Sequence, residues 1–448
     1  MTFEYPSLNL PKKAPGFGHA LLPYFLFSKG YVCLNHGSYG SLPKPVFEFS
    51  TQVAKQIEEN PDQFMRVDLV NVLRDLREEI APLINADESE VVFVPNASHG
   101  INTVLRNLIW HPEDVIIGAS TTYNAVERVI TYLHDVPPHP RVSTFRLSFP
   151  TSRADILAAW KKHIQDLKSD LARRQSAIGA DGPKLKIVAV IDALISNPGI
   201  WLPWQEMVRL AREQGVMTVV DAAHAIGQEV GIDLKKVDPD FWISNCHKWL
   251  FAKRGCAILY VPKRNQHLIK SPIPTPAAYH SPTDADPSIF QEMFGWNGTV
   301  DHTPYVSVHG ALEFRKWLGG EEKINAYCRD LALKGGRYLA EKWGTQTMDI
   351  SKDGEFTLNM CNIALPMSPE RVPDTPMNRA VMQYRLLDVA RVSAPVFVHN
   401  GKWWVRCSAQ VWNELSDFEY LGKVLSETCK EVEEENVAAG NVMVKAKL

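Results

Sequence analysis

The chain has 448 residues, 45% of them hydrophobic, which is enough for a large core divided into two parts. Its formal net charge is −3, and it lacks a basic stripe with interleaved aromatic residues, so we expect no nucleic-acid partner. The longest apolar runs have the length of strands, so we expect no membrane span. The seven cysteines are scattered and odd in number, which is typical of free thiols in a reducing compartment and predicts a cytoplasmic protein. No cysteine pair has metal-ligand spacing and the histidines are dispersed, so we expect no metal site.

Strand-like apolar runs alternate with helical patterns from residue 91 onward. Helical patterns include 154–171 and 203–213, whereas the polar stretch 169–184 is typical of a surface excursion. Six apolar runs have strand length: 91–94, 115–118, 187–191, 216–220, 241–244 and 256–261. The alternation predicts an α/β fold with a mainly parallel sheet covered by helices on both faces.

The C-terminal third has a different pattern. It contains a helical pattern, two strand-like runs and a charged amphipathic helix, at 310–318, 395–399, 402–411 and 416–435. This order predicts a smaller α+β domain. We therefore expect a large domain over residues 35–305 and a small domain formed by residues 1–34 and 306–448.

Two polar residues follow neighbouring apolar runs and lie 27 positions apart, namely Asp221 and Lys248. A lysine and an aspartate presented at strand ends fit a pyridoxal phosphate site. The lysine forms a Schiff base with the aldehyde, and the carboxylate keeps the pyridine nitrogen protonated so that the ring acts as an electron sink. Either residue alone would favour an ordinary surface lysine or strand-end aspartate. The pair, with His224 and His247 beside it, favours the cofactor site.

The phosphate and the pyridine ring of such a cofactor also need residues that bind them. The run 91–94 is followed by a turn of small residues and a helical pattern, so Ser98 and His99 would lie at a helix start, where backbone N–H groups bind anions. Taken alone, this segment is equally typical of a simple capped helix. Tyr123 follows the run 115–118 and could stack on the ring, although a loop tyrosine is more often a packing residue.

With these residues in view, the chain resembles the class V aminotransferase family of fold-type I pyridoxal phosphate enzymes. The resemblance runs from the motif at 34–40 to the segment 405–413. It implies that Lys248 is the Schiff-base lysine, Asp221 the partner of the pyridine nitrogen and His224 a neighbour of the phenolic oxygen. It also places Tyr123 on the ring.

Further roles follow from the same resemblance. The phosphate would be bound by Ser98, His99, His247 and either Ser244 or Asn245. Ser196 would lie near the phenolic oxygen, with Asn197 as a rival. Thr299 resembles a residue that reaches the phosphate from a second subunit, which implies a homodimer with shared active sites. Arg406 matches the arginine that binds the substrate carboxylate, and His36 or Arg66 would recognise the remote end of a larger substrate.

The reaction is harder to predict, because removal of the α-proton from an amino acid can lead to epimerisation, β-elimination, desulfuration or transamination. Tyr123 could protonate a leaving group or donate to the opposite face, which does not separate a lyase from an epimerase. The interval 390–402 has no cysteine where desulfurases of the family carry a persulfide-forming thiol. The chain instead resembles the isopenicillin N epimerase-like branch, and within it the C–S lyases of ergothioneine biosynthesis that act on hercynylcysteine sulfoxide.

Two alternatives stay open at this point. One is an amino-acid epimerase like isopenicillin N epimerase. The other is a non-catalytic binding or scaffold subunit with this fold, although the joint presence of Lys248, Asp221 and Arg406 argues against it. The terminal tripeptide 446–448 resembles a peroxisomal address, which is an alternative to the cytoplasm.

Overall fold

The computed structural model describes residues 3–179, 182–281, 283–284 and 289–440. Residues 446–448, which resemble a peroxisomal address, lie outside this part, and the cellular location stays a prediction. No helix in the described ranges is long and apolar enough to cross a membrane.

Helices make up much of the described chain. The α-helices are α1 (His36–Tyr39), α2 (Lys44–Glu59), α3 (Pro61–Gln63), α4 (Leu69–Ile80), α5 (Ala97–Asn107), α6 (Asn124–Asp135), α7 (Arg153–Ile178), α8 (Trp204–Glu213), α9 (Leu234–Val237), α10 (Phe290–Gly295), α11 (Thr303–Leu318), α12 (Glu321–Trp343), α13 (Pro376–Tyr384) and α14 (Leu415–Ala438). Short 3₁₀ or π-helical turns lie at His19–Tyr24, Phe64–Asp68, Ala81–Ile84, Glu88–Glu90, Lys263–Leu268 and Arg385–Val389.

The strands form one large and several small sheets. They are β1 (Val32–Cys33), β2 (Val91–Val94), β3 (Val115–Ala119), β4 (Arg141–Phe145), β5 (Ile187–Asp192), β6 (Leu194–Ile195), β7 (Ile200–Trp201), β8 (Met217–Asp221), β9 (Phe241–Asn245), β10 (Ala257–Tyr260), β11 (Met360–Ala364), β12 (Val392–Ser393), β13 (Val396–His399) and β14 (Lys402–Ser408).

The central sheet has seven strands in the order β2-β10-β9-β8-β5-β3-β4. The pairs from β9 to β4 are parallel, and β10 is antiparallel to both of its neighbours. The mainly parallel α/β fold is therefore confirmed, and the six predicted strands are present with ends that differ by a residue or two. The sequence prediction missed β4, whose alternating exposed and partly buried residues belong to an edge strand rather than a fully buried run.

Both faces of this sheet are covered. Val188 and Val219 pack with residues of α5 and α6 on one face, whereas Ile187 and Val220 belong to the core that includes α7 and α8. Such strands are buried on both sides, which explains why they read as continuous apolar runs in the sequence.

The predicted surface excursion at 169–184 is wrong for most of its length, because α7 continues to Ile178. Leu171 extends the buried stripe of this helix, and Arg174 on the outer face donates to Asp170 at 2.9 Å and to Glu113 at 2.7 Å. The polar residues of this segment form the solvent-exposed face of the helix, where they make ion pairs.

The C-terminal part forms a three-stranded antiparallel sheet in the order β11-β14-β13, against which α12 and α14 pack. Strand β1 pairs with β12 in parallel, which ties the N-terminal segment to this part. Helix α11 packs on α2 and α4 and also contacts α12. The division into residues 35–305 and residues 1–34 with 306–448 stays a prediction.

Candidate active site

Strands β5, β8 and β9 end at a cavity of about 200 Å³. Ligands of open α/β sheets bind at this edge, because the loops after parallel strands diverge there. The cavity is lined by Ser38, Tyr39, Asn96, Ala97, Ser98, Tyr123, Val126, Asp192, Leu194, Ser196, Asp221, Ala223, His224, Asn245, His247 and Lys248. The predicted residues Lys248, Asp221, His224, Tyr123, Ser98, Ser196, Asn245 and His247 are thus brought together.

Lys248 lies three residues beyond the end of β9, and its amine is largely enclosed by the protein. Its Nζ is 3.0 Å from Nε2 of His224, and it forms no ion pair within the described residues. The pKa of Lys248 is lowered to about 8, mainly by burial and also by the charge of Arg406, while the carboxylate of Asp221 opposes this lowering. A much larger fraction of this amine is therefore neutral near physiological pH than in an ordinary lysine, which favours its action as a nucleophile.

His224 is buried beside this amine. Trp249 Nε1 donates to His224 Nδ1 at 3.3 Å. Burial, followed by the positive charges of Lys248 and Arg406, lowers the pKa of His224 well below its usual value. The imidazole is therefore held neutral between the indole and the lysine.

Two carboxyl groups share the inner part of the cavity. Asp221 ends β8 and Asp192 ends β5, and the two are register partners on neighbouring parallel strands. The sequence prediction does not include Asp192, because the predicted strand 187–191 ends one residue before it. The rule that singled out Asp221, a polar residue at the carboxyl end of a buried strand, would also have found Asp192.

Another side of the cavity is the N-terminus of α5. Asn96 caps this helix by accepting from His99 N at 2.9 Å, and Asn245 Oδ1 accepts from Ala97 N at 2.9 Å. Asn245 and Ser98 both line the cavity at this end of the helix. A helix N-terminus with added donors is a binding site for phosphate.

His247 belongs to the same wall. Its Nδ1 lies 2.8 Å from the carbonyl of Cys256, so this nitrogen carries the proton and donates. Burial lowers the pKa of His247 to about 4. The ring therefore enters the site as a neutral, fixed imidazole.

Two residues proposed for the phosphate do not line the cavity. Ser244 donates to the Ala222 carbonyl at 2.5 Å and accepts from Ile226 N at 3.0 Å, because successive strand residues face opposite sides and Asn245 takes the cavity side. The ring of His99 lies 3.5 Å from Thr103 and faces a separate surface groove. The expectation that Ser244 binds the phosphate is therefore corrected, because its hydroxyl already bonds two backbone groups.

Arg406 lies on β14, and its guanidinium is buried. Its Nη1 donates to the carbonyl of Ser196 at 2.5 Å, and its Nη2 donates to Asn35 Oδ1 at 2.7 Å and Ser38 Oγ at 2.8 Å. Its Nε has no partner among the described residues, which also offer it no carboxylate. Burial lowers the pKa of Arg406 to about 10. A buried cation without a counter-ion fits a site for an anionic ligand.

Among the residues that line the cavity, Ser196 contacts this arginine, whereas Tyr39 and Tyr123 lie where the cavity opens to solvent. Ser196 also accepts from Arg406 Nη1 through its hydroxyl at 3.3 Å, whereas its rival Asn197 is exposed and does not line the cavity. Tyr39 and Tyr123 have exposed fractions of 73% and 50%. Tyr39 was not singled out in the sequence, although it belongs to the 34–40 motif.

Three predicted residues lie away from the cavity within one chain. His36 is buried against Trp249, Phe251 and Trp412, and burial lowers its pKa to about 3, so its expected role in substrate recognition is corrected to packing. The remaining two, Arg66 and Thr299, are exposed.

Arg66 is not positioned for substrate either. It forms an ion pair with Asp62 at 2.9 Å, one turn earlier on an exposed helical face, and does not line the cavity. Thr299 follows Gly298, which has a positive φ of 107°. Its predicted role depends on a second subunit.

Comparison with known proteins agrees with this geometry. Residues 44–133 and 164–359, more than half of the chain, match the family described as aminotransferase class-V. The chain belongs to this family. The L-cysteine desulfhydrase-like protein lolT1 of Epichloe uncinata is 31% identical over 94% of this chain and 97% of its own length. Hercynylcysteine sulfoxide lyase of Schizosaccharomyces pombe is 28% identical over 92% of this chain and 98% of its own length.

Isopenicillin N epimerase of Streptomyces clavuligerus is 29% identical over 75% of this chain and 81% of its own length. A solved structure of a cystine C–S lyase in complex with cysteine persulfide matches with a TM-score of 0.71 at 17% identity, covering 89% of this chain and 98% of that one. The fold-type I architecture is confirmed. The chain is an enzyme of the pyridoxal-phosphate-dependent C–S lyase and cysteine desulfhydrase group of the family.

Pyridoxal phosphate is the cofactor of this group, and the cavity fits it. Lys248 offers the aldehyde an amine that lacks an ion-pair partner within the described residues. Asp221, which lines the same cavity as His224, offers the ring nitrogen a carboxylate. The N-terminus of α5, with Ser98 and Asn245, offers donors for the phosphate. Each part of the cofactor therefore has a chemically matching group in one cavity.

Proposed function

We propose that this enzyme cleaves hercynylcysteine sulfoxide by β-elimination, as in ergothioneine biosynthesis. The observation that carries the proposal is that the Lys248 amine lines a cavity whose residues Ser38 and Ser196 bond the buried, uncompensated cation of Arg406. An amino acid whose carboxylate binds Arg406 would present its α-carbon near a group that can remove a proton. The likeness to hercynylcysteine sulfoxide lyase over nearly the whole chain supports the choice of substrate.

The cofactor would be held by residues of known position. Lys248 would attach it, Asp221 would bind the ring nitrogen, and Ser98, Asn245 and His247 would bind the phosphate. When bound, pyridoxal phosphate supplies an electron sink for the electrons of a broken bond at the α-carbon. The remaining steps depend on side chains of this chain.

Arg406 sets the geometry of the reaction. Its guanidinium is fixed by Ser196, Asn35 and Ser38, so it binds a carboxylate in one orientation. A fixed carboxylate directs the α-carbon–hydrogen bond toward the Lys248 amine, which takes the proton.

Loss of this proton is followed by breakage of the Cβ–S bond. The sulfur leaves as a sulfenate and takes one proton, for which the hydroxyl of Tyr123 is our proposed donor because it lines the cavity and is half exposed. The three-carbon fragment is then hydrolysed to pyruvate and ammonia.

The cysteines support elimination over persulfide formation. All seven are buried, and the segment 390–402 forms β12 and β13 without a cysteine. Burial also raises the pKa of Cys33 and Cys328, which disfavours the nucleophilic thiolate. A persulfide-forming desulfurase needs a reactive, accessible thiol near the substrate.

The test supplies hercynylcysteine sulfoxide, L-cysteine and isopenicillin N separately to the cofactor-loaded enzyme. Pyruvate and ammonia are measured, together with inversion at the α-carbon. We expect stoichiometric pyruvate and ammonia from the sulfoxide, with Lys248→Ala as the inactive control. Efficient inversion of isopenicillin N without pyruvate release from the sulfoxide would replace the lyase proposal by an epimerase.

We also propose a homodimer with shared active sites. Thr299 is exposed, lies away from the cavity of its own chain, and resembles a residue that donates to the partner's phosphate. Mixing inactive Lys248→Ala protein with an inactive Thr299→Val protein should restore activity, because one of the two sites in a mixed dimer then carries neither change. A fully active monomer would contradict the proposal.

A further inference from the structure

Asp192 lies beside Asp221 at the edge of the sheet, and the proposed reaction gives Asp192 no role. They end neighbouring parallel strands in direct register, and adjacent strands lie about 4.8 Å apart. Both side chains line the cavity, so they lie on the same side of the sheet edge. Their exposed fractions are 3% and 4%, so bulk water does little to separate their charges.

The partners of the two carboxyl groups differ. Asp221 Oδ1 accepts from Ala223 N at 3.0 Å. Asp192 Oδ2 accepts from Thr122 Oγ1 at 3.4 Å, and the same hydroxyl accepts from Ala119 N at 2.8 Å. Within the described residues neither aspartate forms an ion pair. Two adjacent buried carboxylates without an ion-pair partner cannot both ionise at low cost, so the pair keeps a proton.

The surroundings decide which aspartate keeps it. Burial and the charge of Asp221 raise the pKa of Asp192 well above its usual value, and they outweigh the long hydrogen bond from Thr122 and a backbone hydrogen bond. Burial also raises the pKa of Asp221, but the Ala223 N–H and the positive charge of Lys248 oppose this rise. The other titratable residues that line the cavity are Lys248, His224, His247, Tyr39 and Tyr123, and of these only Lys248 is a cause of the change at Asp221. The proton therefore belongs on Asp192.

We propose that Asp192 is a positioning residue of the cofactor site, which holds the proton of the pair and donates it as a hydrogen bond to the Asp221 carboxylate. This bond orients the carboxylate and stabilises its negative charge, which the ring nitrogen of the cofactor needs as a partner. Asp192 acts through Asp221 and touches neither cofactor nor substrate in this role. The inference depends on the cofactor and not on which substrate is cleaved.

Two variants separate the donated hydrogen bond from the bulk of the side chain. Asp192→Asn keeps a neutral donor of the same shape, whereas Asp192→Leu keeps the volume and removes the donor. We expect Asp192→Asn to bind pyridoxal phosphate within about twofold of wild type. Asp192→Leu should bind about tenfold to hundredfold more weakly, because the Asp221 carboxylate loses a charge-assisted hydrogen bond. An equal loss in both variants would mean that the charge of Asp192 matters and would overturn the proposal, as would wild-type binding by Asp192→Leu.

A second measurement does not depend on binding or on the stability of the leucine variant. Infrared spectra of cofactor-loaded protein at neutral pH contain the C=O stretch of protonated carboxylic acids. The difference between wild type and Asp192→Asn should show the loss of one such band. Glu229→Gln is the matched control, since Glu229 is a second buried carboxyl, with a pKa raised to about 7 by burial, that bonds Trp204 and lies outside the cavity. Its band should persist in Asp192→Asn. If Asp192→Asn removes no band, Asp192 is ionised and the proposal is wrong.

Discussion

The Nζ of Lys248 lies 3.0 Å from Nε2 of His224, and the indole of Trp249 donates to the other ring nitrogen at 3.3 Å. An indole N–H can only donate, so Nδ1 of His224 is the acceptor. Because His224 is neutral, its proton lies on Nε2 and points at Lys248. An ammonium group has no lone pair to accept this proton, so the contact selects the neutral amine. The hydrogen-bond pattern therefore agrees with the lowered pKa of Lys248.

Trp249→Phe should weaken this selection. Without the indole N–H, the proton of His224 can move to Nδ1, and Nε2 can then accept from a Lys248 ammonium. The pKa of Lys248 should rise above about 8, so the pH at which pyridoxal phosphate attaches at half its maximal rate should shift upward. Attachment to cofactor-free protein is followed by absorbance.

Trp412→Phe is the control for Trp249→Phe. Trp412 is equally buried and contacts the same His36 ring, but its indole has no partner among the described residues and does not bond His224. It should leave the pH profile unchanged. Identical profiles for the two variants would show that the indole of Trp249 does not fix the tautomer of His224.

The lowered pKa of Lys248 also predicts a pH-dependent stability of the cofactor-free protein. The unfolded chain, with an ordinary lysine pKa near 10.5, binds more protons than the folded chain between about pH 8 and 10.5. Stability due to this group therefore rises with pH across that window. This rise is at most about 3–4 kcal/mol, and it should be missing in Lys248→Met. Denaturant unfolding of both proteins at pH 7, 9 and 10 checks this, and parallel curves would exclude a depressed pKa.

The residues that could be predicted from sequence are those whose position follows from strand ends alone. Asp221 and Lys248 each follow a buried apolar run, and parallel strands bring their carboxyl ends to one edge. Ser98 and Tyr123 were found in the same way, after β2 and β3. The alternation of strands and helices also predicted the mainly parallel sheet.

The rest depends on contacts between distant segments. His36 lies in a polar-looking motif, but the aromatic rings that bury it come from residues 249, 251 and 412. Which of Ser244 and Asn245 faces the cavity is set by the register of β9 with β8 and β10. A one-residue change in register would exchange the faces of Ser244 and Asn245. Because every residue of this strand is buried, the sequence pattern does not tell which of the two faces the cavity.

Arg406→Lys should impair the lyase without impairing cofactor attachment. A lysine cannot reproduce the fork that bonds Ser196, Asn35 and Ser38 at once, so the substrate carboxylate would lose one charge-assisted contact and its fixed orientation. We expect kcat/KM to fall about tenfold to hundredfold, which corresponds to about 1.5–3 kcal/mol. Steady-state kinetics give the change, and absorbance of the bound cofactor is the control. Unchanged kcat/KM would remove Arg406 from the carboxylate site.

Tyr39 should distinguish large from small substrates. It lines the cavity mouth with 73% of its surface exposed, so its ring can cover the remote end of a long ligand. The hercynyl group carries a trimethylammonium cation, and such a cation over an aromatic face gains about 0.5–1 kcal/mol at an exposed site. Tyr39→Ala should therefore lower kcat/KM for hercynylcysteine sulfoxide about two- to fivefold more than for S-methylcysteine sulfoxide, which lacks the cation.

Two controls sharpen the Tyr39 prediction. Tyr39→Phe keeps the aromatic face and should keep the preference, which separates the ring from the hydroxyl. Arg66→Ala should leave the preference unchanged, because Arg66 is exposed, is paired with Asp62 and does not line the cavity. If Tyr39→Ala lowers kcat/KM equally for both substrates, the ring contributes to general packing at the mouth. If Arg66→Ala changes the preference instead, the remote end of the substrate leaves the cavity on the side of α3, and Tyr39 does not bind it.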